Sequence, residues 1–203
     1  MRWRLAAALV VAVTLSPIAC LGSFHAKYHR YLHFTRLQAA VSDLDRASRD
    51  VGSVLASFDY LSYKATLYDN TVRIGGNPGR DRVELLRALV GAERRLRDAR
   101  AHLDSAERKG VNVSDVARTV SEVAAELEEA RWLVEQGKVG VTDRVRVVAK
   151  LARVEGRLEV KKRRLMGELM NRMPRIKYYE LVENVLFLPP FNALFALATA
   201  LGP

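Results

Sequence analysis

Two uncharged segments, one near each end of the chain, restrict this sequence more than any other feature. Residues 5–24 and residues 184–203 each run for 20 residues without a charged side chain. The first segment is long enough to cross the hydrocarbon core of a bilayer as a helix, at about 1.5 Å per residue. The net charge of +10 comes from basic residues beside the two segments, whereas residues 37–149 carry 18 basic and 18 acidic side chains. This placement favours contact with anionic lipid over nucleic-acid binding.

The N-terminal segment has the form of a membrane anchor. Arg2 and Arg4 precede the apolar run, as in a signal sequence. Pro17 stands where signal-peptide cleavage after Ala19 needs a small residue, which favours an uncleaved anchor. A lipoprotein modified at Cys20 and a cleaved signal remain alternatives. We predict a signal-anchor or transmembrane helix over residues 1–24, a single pass through a bacterial cytoplasmic membrane, and an extracytoplasmic body.

Aromatic and histidine residues follow the anchor. Amphipathic rings favour the headgroup layer, and the residues expected there are Trp3, Tyr28 and Tyr31. His25, His29 and His33 repeat every fourth residue and would share one helix face. We favour an interfacial helix with a polar histidine face over a zinc site, because no carboxylate lies near these residues. We predict no metal site and no cofactor.

The body shows the apolar spacing of long helices packed along a seam, with alternating steps of four and three residues. Breaks at residues 75–79, 110 and 137–140 predict four helices, over residues 24–73, 78–109, 115–136 and 143–188. The first seam is expected at Leu37, Val41, Leu44, Ser48, Val51, Leu55, Phe58, Ser62 and Ala65. The other three are expected at Leu85, Leu89, Ala92, Leu96, Ala99, Leu103 and Ala106; at Val116, Val120, Val123, Leu127, Ala130 and Val134; and at Val147, Leu151, Val154, Leu158, Leu165 and Leu169.

These lengths predict an all-α fold in which long antiparallel helices form an elongated bundle over residues 25–180. Short connections favour antiparallel neighbours, and the four rises then cancel to within about 10 Å, so both chain ends return to one level. The apolar segment at 181–203 is split by Pro189 and Pro190, and residues 191–201 are too short to span a bilayer. We expect an interfacial or re-entrant helix there, with a surface for a second protomer as the alternative.

Three short motifs stand out, and they are Val41-Ser42-Asp43-Leu44-Asp45, Glu155-Gly156-Arg157-Leu158 and Pro190-Phe191-Asn192. In that order they resemble a stretch on the first long helix of the LemA family, a stretch on its last long helix and the entry of its apolar tail. The Tyr-Asn pairs expected after the second motif are absent. The resemblance implies a bacterial membrane protein with a helical-bundle body and no established catalysis.

The predicted function is that of a non-catalytic, membrane-anchored helical scaffold that binds anionic lipid and a protein partner. A homo-oligomer of the scaffold is a further prediction. The lipid-contacting residues expected near the C-terminus are Arg163, Arg164, Arg172, Arg175, Lys177, Phe191, Leu194 and Phe195. An envelope-spanning coiled-coil rod, like a phage spanin or an adaptor, is the alternative. No catalytic motif stands out, and the interspersed charges of the body are typical of solvated helices.

Overall fold

The computed structural model describes the backbone of residues 32–186 and the side chains of residues 32–171. Every regular element in that part of the chain is helical, which confirms the all-α prediction. The chain divides into two compact units, of which one is Leu37–Met166 and the other combines Met1–Arg36 with Gly167–Pro203. The packing described below is that of the unit Leu37–Met166, which we call the body.

Six α-helices and one 3-10 turn follow one another in the described chain. In order they are α1 (residues 32–56), α2 (Phe58–Arg73), α3 (Gly79–Arg108), α4 (Ser114–Glu135), α5 (Val141–Arg146), the 3-10 turn (Val147–Lys150) and α6 (Leu151–Leu186). The bounds of α3 and α4 lie within one residue of the prediction at each end. The first and fourth predicted helices are each divided, which the spacing of apolar residues did not indicate.

A serine marks the division between α1 and α2. The Ser57 hydroxyl donates to the Val54 carbonyl at 2.7 Å, and the Ser57 amide donates to the same oxygen at 3.1 Å. Both bonds span three residues rather than four, so the backbone tightens there into a turn. Helix geometry resumes at Phe58. The prediction of one continuous helix over residues 24–73 is therefore wrong at this position.

The core of the body lies along the predicted seams of α3 and α4. Every predicted seam residue of these two helices is buried, from Leu85 to Ala106 and from Val116 to Val134. Burying one leucine or valine side chain stabilises a fold by roughly 1.5–3 kcal/mol, so these two rows supply much of the stability. In the fourth predicted seam, Leu151, Val154, Leu158 and Leu169 are buried as predicted, whereas Val147 and Leu165 are only partly buried.

The predicted seam of the first helix is only half correct. Leu37, Leu44, Val51 and Ala65 are buried, but Val41, Leu55 and Phe58 are only partly so. A second row of residues is buried in their place. Each of its members lies three residues, rather than four, after Leu37, Leu44, Val51, Phe58 or Ala65, and they are Ala40, Ala47, Val54, Leu61 and Tyr68. Alanine at two of these positions lets neighbouring helices approach closely. The packed face is therefore rotated toward that row.

Ion pairs between helices show that neighbours run in opposite directions. On α1, Asp43 pairs with Lys109 at the end of α3, whereas Asp50 lies 3.9 Å from His102, one to two turns earlier in α3. On α6, Lys162 pairs with Asp45 of α1, and Glu159 accepts a hydrogen bond from Ser48. The body is thus an up-down-up-down four-helix bundle, in which α1 with α2 and α5 with α6 each fill one position.

Membrane-spanning helices were predicted only near the N-terminus. Among residues 32–186, no helix has both the length and the apolar character needed to cross a bilayer. The predicted anchor over residues 1–24 lies outside the described residues, as do residues 187–203 of the predicted apolar tail. Residues 181–186 of that tail are the last residues of α6.

Candidate interaction surfaces

The basic run on α6 divides into two inward and two outward side chains. Lys161 donates to the Asn112 carbonyl at 2.7 Å and pairs with Asp115 at 3.5 Å. Lys162 pairs with Asp45 at 3.1 Å and with Glu159 at 2.5 Å, and these carboxylates raise the pKa of Lys162. The two lysines therefore attach α6 to α1 and to the α3–α4 turn. Arg163 and Arg164 are exposed.

The same end of the body carries further charged contacts. Burial opposes ionisation of Asp43, but hydrogen bonds from Lys109 and Ser105 outweigh it and hold the pKa of Asp43 below its ordinary value. Burial also opposes ionisation of Asp115. The hydrogen bond from the Val116 amide and the charge of Lys161 outweigh this effect, so the pKa of Asp115 is lowered. These paired charges fix the helix ends against one another. We call this the paired-charge end.

The predicted lipid-contacting residues fall into three groups. Arg163 and Arg164 are described and face outward. The backbone of residues 172–177 continues α6, which places Arg172, Arg175 and Lys177 on that helix. The remaining predicted residues lie outside the described part of the chain, and they are Trp3, Tyr28, Tyr31, Phe191, Leu194 and Phe195. Of the three histidines, His33 is described and exposed, while His25 and His29 lie outside.

The opposite end of the body is held by a buried carboxylate that the sequence did not single out. Asp69 of α2 accepts hydrogen bonds from the amides of Gly140, Val141 and Thr142, at 3.0, 3.2 and 2.9 Å, and from the Thr142 hydroxyl at 2.7 Å. Gly140 immediately precedes α5, and the amides of Val141 and Thr142 have no acceptor within that helix, so Asp69 caps the N-terminus of α5 from another helix. A distant cap has no local sequence signature.

Two further contacts complete this end, which we call the capped end. Arg82 Nη2 donates to the Glu135 carbonyl at 2.7 Å, joining the start of α3 to the end of α4. The Tyr68 hydroxyl donates to the Val134 carbonyl at 3.3 Å, and burial raises the pKa of Tyr68. Nearby, the Lys138 ammonium lies 4.4 Å from the centre of the exposed Trp132 ring.

Two shallow grooves open on the side of the bundle. One, of about 380 Å³, lies between α4 and α5, where Arg144 bridges Glu126 and Glu129 at 2.8 Å each. The other, of about 270 Å³, lies between α3 and α4 and is lined by Arg97, Ala125 and Glu128. The third carboxylate of the first groove, Asp143, pairs with Arg146 at 3.3 Å, so every acidic side chain of that groove is in an ion pair. Within the described residues, no set of three or more histidine, cysteine or acidic side chains is arranged to hold a metal ion.

One acidic group departs from the pattern of paired charges. Burial raises the pKa of Asp50, and the nearby Asp98 carboxylate adds to this effect. His102, Arg49 and Arg95 oppose it through their charges. The group lies between α1 and α3, beside no groove described above. We assign it a role in packing α1 against α3.

The solvent-facing side of α3 was not predicted to carry function, yet it has a second regular stripe. Opposite the buried seam, exposed residues again recur at steps of four and three, and they are Val83, Arg87, Val90, Arg94, Arg97, Ala101 and Arg108. The arginine-valine alternation could have been found by reading both faces of the helix. Comparison of the chain with protein-family models, curated proteins and solved structures found no match.

Proposed function

We propose that this protein is a non-catalytic scaffold of the bacterial cytoplasmic membrane, similar to the LemA family, with one N-terminal pass and an extracytoplasmic helical body. Its tasks in this proposal are to contact anionic lipid and to bind a protein partner. The observation that carries the proposal is the position of the chain ends of the body. Because α1 and α6 are antiparallel, the body begins at Leu37 and ends at Met166 on the same side, the paired-charge end.

Charge supports a lipid contact beyond that end. Residues 150–177 carry ten basic and three acidic side chains, and six residues that include Glu180 and Glu183 separate them from the uncharged segment 184–203. Each basic residue near an anionic bilayer surface contributes about 1 kcal/mol to binding. Arg163 and Arg164 are exposed and lie within three residues of the C-terminal end of the body, whereas the adjacent Lys161 and Lys162 are held in ion pairs. We expect Arg172, Arg175 and Lys177 to act with them.

The test is flotation of the protein with vesicles after removal of residues 1–24, so that the anchor does not mask weaker contacts. We expect binding to vesicles containing anionic lipid, weaker binding to neutral ones, and a several-fold loss for R163E/R164E. R73E/R87E is the control, because both arginines are exposed, lie away from the paired-charge end and make no ion pair in the described chain. Equal flotation of all three forms would refute the lipid contact.

The apolar tail has its own test. A chain that lacks both residues 1–24 and the residues after Pro190 should keep the helical content of the body but float less than a chain lacking residues 1–24 alone. The physical reason is the loss of an apolar segment that contains Phe191, Leu194 and Phe195. Circular dichroism gives the helical content. Unaltered flotation would count against an inserted tail.

A further inference from the structure

The side of the body formed jointly by α3 and α4 is divided by charge, with Arg94 and Arg97 on α3 and Glu128 on α4. We call it the α3–α4 face. It flanks the groove in which Arg97 of α3 lies close to Ala125 and Glu128 of α4. On α3, Arg94 and Val90 extend this face by one and two turns, and on α4 Trp132 extends it by one turn. All these side chains are exposed.

On the α3 half, Arg100 pairs with Asp104 at 3.0 Å, but two other arginines lack partners within the body. Arg94 and Arg97 make no ion pair in the described part of the chain. On the α4 half, the Glu128 side chain is 72% exposed and its nearest cation, Arg131, is 3.9 Å away. Arg131 is already bound at 3.0 Å to Glu93, which is buried. The face therefore presents two unpaired cations beside an anion whose contact with Arg131 is long.

Exposed apolar side chains lie on the same face. Val83, Val90 and Trp132 are 56%, 50% and 46% exposed. The Glu93–Arg131 contact fixes the levels of the two helices, and it places Val90 within about one turn of Trp132 along the bundle axis. Ala101 and Ala125 are exposed as well, so the middle of the face is flat enough for another helix to approach.

From these features we infer that the protein forms a two-fold symmetric dimer through the α3–α4 face. A two-fold axis parallel to the helices places α3 of one subunit on α4 of the other, and the reverse. Arg97 then faces the partner subunit's Glu128, and Val90 faces the partner subunit's Trp132, twice each. An axis across the helices would instead place α3 on α3, with arginine against arginine.

The size of the face suits such a dimer. The 22 residues of α4 give a length of about 33 Å, and two helices roughly 10 Å apart give a width of about 20 Å. The covered area is roughly 650 Å² per subunit, near the lower end of specific protein–protein interfaces. A flat anionic surface fits less well, because Glu128 and Glu135 would face it. A second copy supplies opposite charges on both halves.

The experiment uses the full chain in a non-ionic detergent, with the dimer fraction measured by sedimentation velocity. We expect the wild-type protein to dimerise at low salt and to dissociate partly at high salt. R97E alone and E128R alone each place like charges at both contacts, and each should raise the dimer Kd at least about tenfold. An equimolar mixture of R97E and E128R restores both opposite-charge contacts in the heterodimer and should dimerise.

Controls and contrary outcomes are defined by the same geometry. R73E, on an exposed arginine outside the face, should leave the Kd unchanged. V90K tests the apolar contact if a charge reversal disturbs folding, which circular dichroism reveals. A monomeric wild-type protein, or a mixture no more dimeric than its two components, overturns the inference. Loss of anionic-vesicle binding by R97E without any change in dimerisation would also overturn it and assign the face to lipid. The dimer does not rest on the proposed membrane role, and loss of that role would leave it intact.

Discussion

Asp69 shows how one side chain stabilises a turn that lies 71 to 73 residues further along the chain. The carboxylate is buried and uses both oxygens, each of which accepts two hydrogen bonds. A buried amide that loses its acceptor costs about 1–3 kcal/mol. The contact between α2 and the start of α5 therefore depends strongly on this single residue.

We predict that Asp69→Ala lowers the free energy of unfolding by about 2–4 kcal/mol, because three amides and a hydroxyl lose their acceptor together. Asp69→Asn should cost less, since one oxygen remains. Urea denaturation followed by circular dichroism measures both. Asp59→Ala is the control, because that carboxylate is exposed at the start of α2 and should change stability little. Equal stability of the Asp59 and Asp69 variants would contradict the capping role.

Asp43 gives the fold a dependence on acid. Its pKa in the folded state lies below the ordinary value of 3.8, so the unfolded chain binds this proton first as the pH falls. The stabilisation is complete above about pH 5 and disappears as the pH falls through the folded pKa. Wild-type protein should therefore lose more stability than Asp43→Asn between about pH 5 and pH 2.

The partner of Asp43 supplies the control for that experiment. Without the Lys109 ammonium, burial is opposed mainly by Ser105 and His102, so Lys109→Met should raise the pKa of Asp43. Carboxyl NMR titration measures this value directly. Parallel acid denaturation curves for wild-type protein and Asp43→Asn would show that the Lys109 contact contributes nothing.

At the scale of the helices, two glycines differ in whether the backbone conformation at their position requires glycine. Gly156 lies exposed within α6, and a Cβ atom there would meet nothing within 4 Å. Gly110 ends α3 with φ of 92°, where an L-residue is strained. We predict that Gly156→Ala stabilises the body by about 1 kcal/mol, whereas Gly110→Ala destabilises it by about 1–2 kcal/mol. Urea midpoints measure both changes, and the same sign for the two variants would refute this distinction.

The helices also show what the sequence can predict. The seams of α3 and α4 follow from apolar spacing because each offers only one continuous apolar row. In the first helix, Leu37, Leu44 and Val51 can form a continuous apolar stripe with the residues that follow each of them by three positions or with those that follow by four. Contacts with α3 and α6 decide between them. Those contacts are not encoded in the local pattern, and neither is the distant cap by Asp69 or the turn at Ser57.

At the scale of the whole molecule, antiparallel packing in the body favours a folded bundle over an extended rod. We predict that cysteines replacing Tyr31 and Tyr178, in a Cys20→Ser background, can be joined by a short bifunctional reagent. Asp45→Cys with Lys162→Cys is the positive control, because these side chains meet at 3.1 Å. Arg46→Cys with Ile74→Cys is the negative control, because about 42 Å of helix separates them. Electrophoresis detects the intramolecular product, and a reaction only between separate chains would support the rod.

The hydrogen bonds of Asp69 also determine how slowly the turn after α4 exchanges its amide hydrogens with solvent. Connections between helices normally open through small local fluctuations and exchange early. The amides of Gly140, Val141 and Thr142 are bonded to a buried carboxylate, so their release requires separation of α2 from α5. We expect these three amides to exchange at the rate of the bundle core, while neighbouring Gly137 and Lys138 exchange much earlier in deuterium labelling. We therefore expect residues 140–142, which connect two helices, to open only together with the core of the bundle.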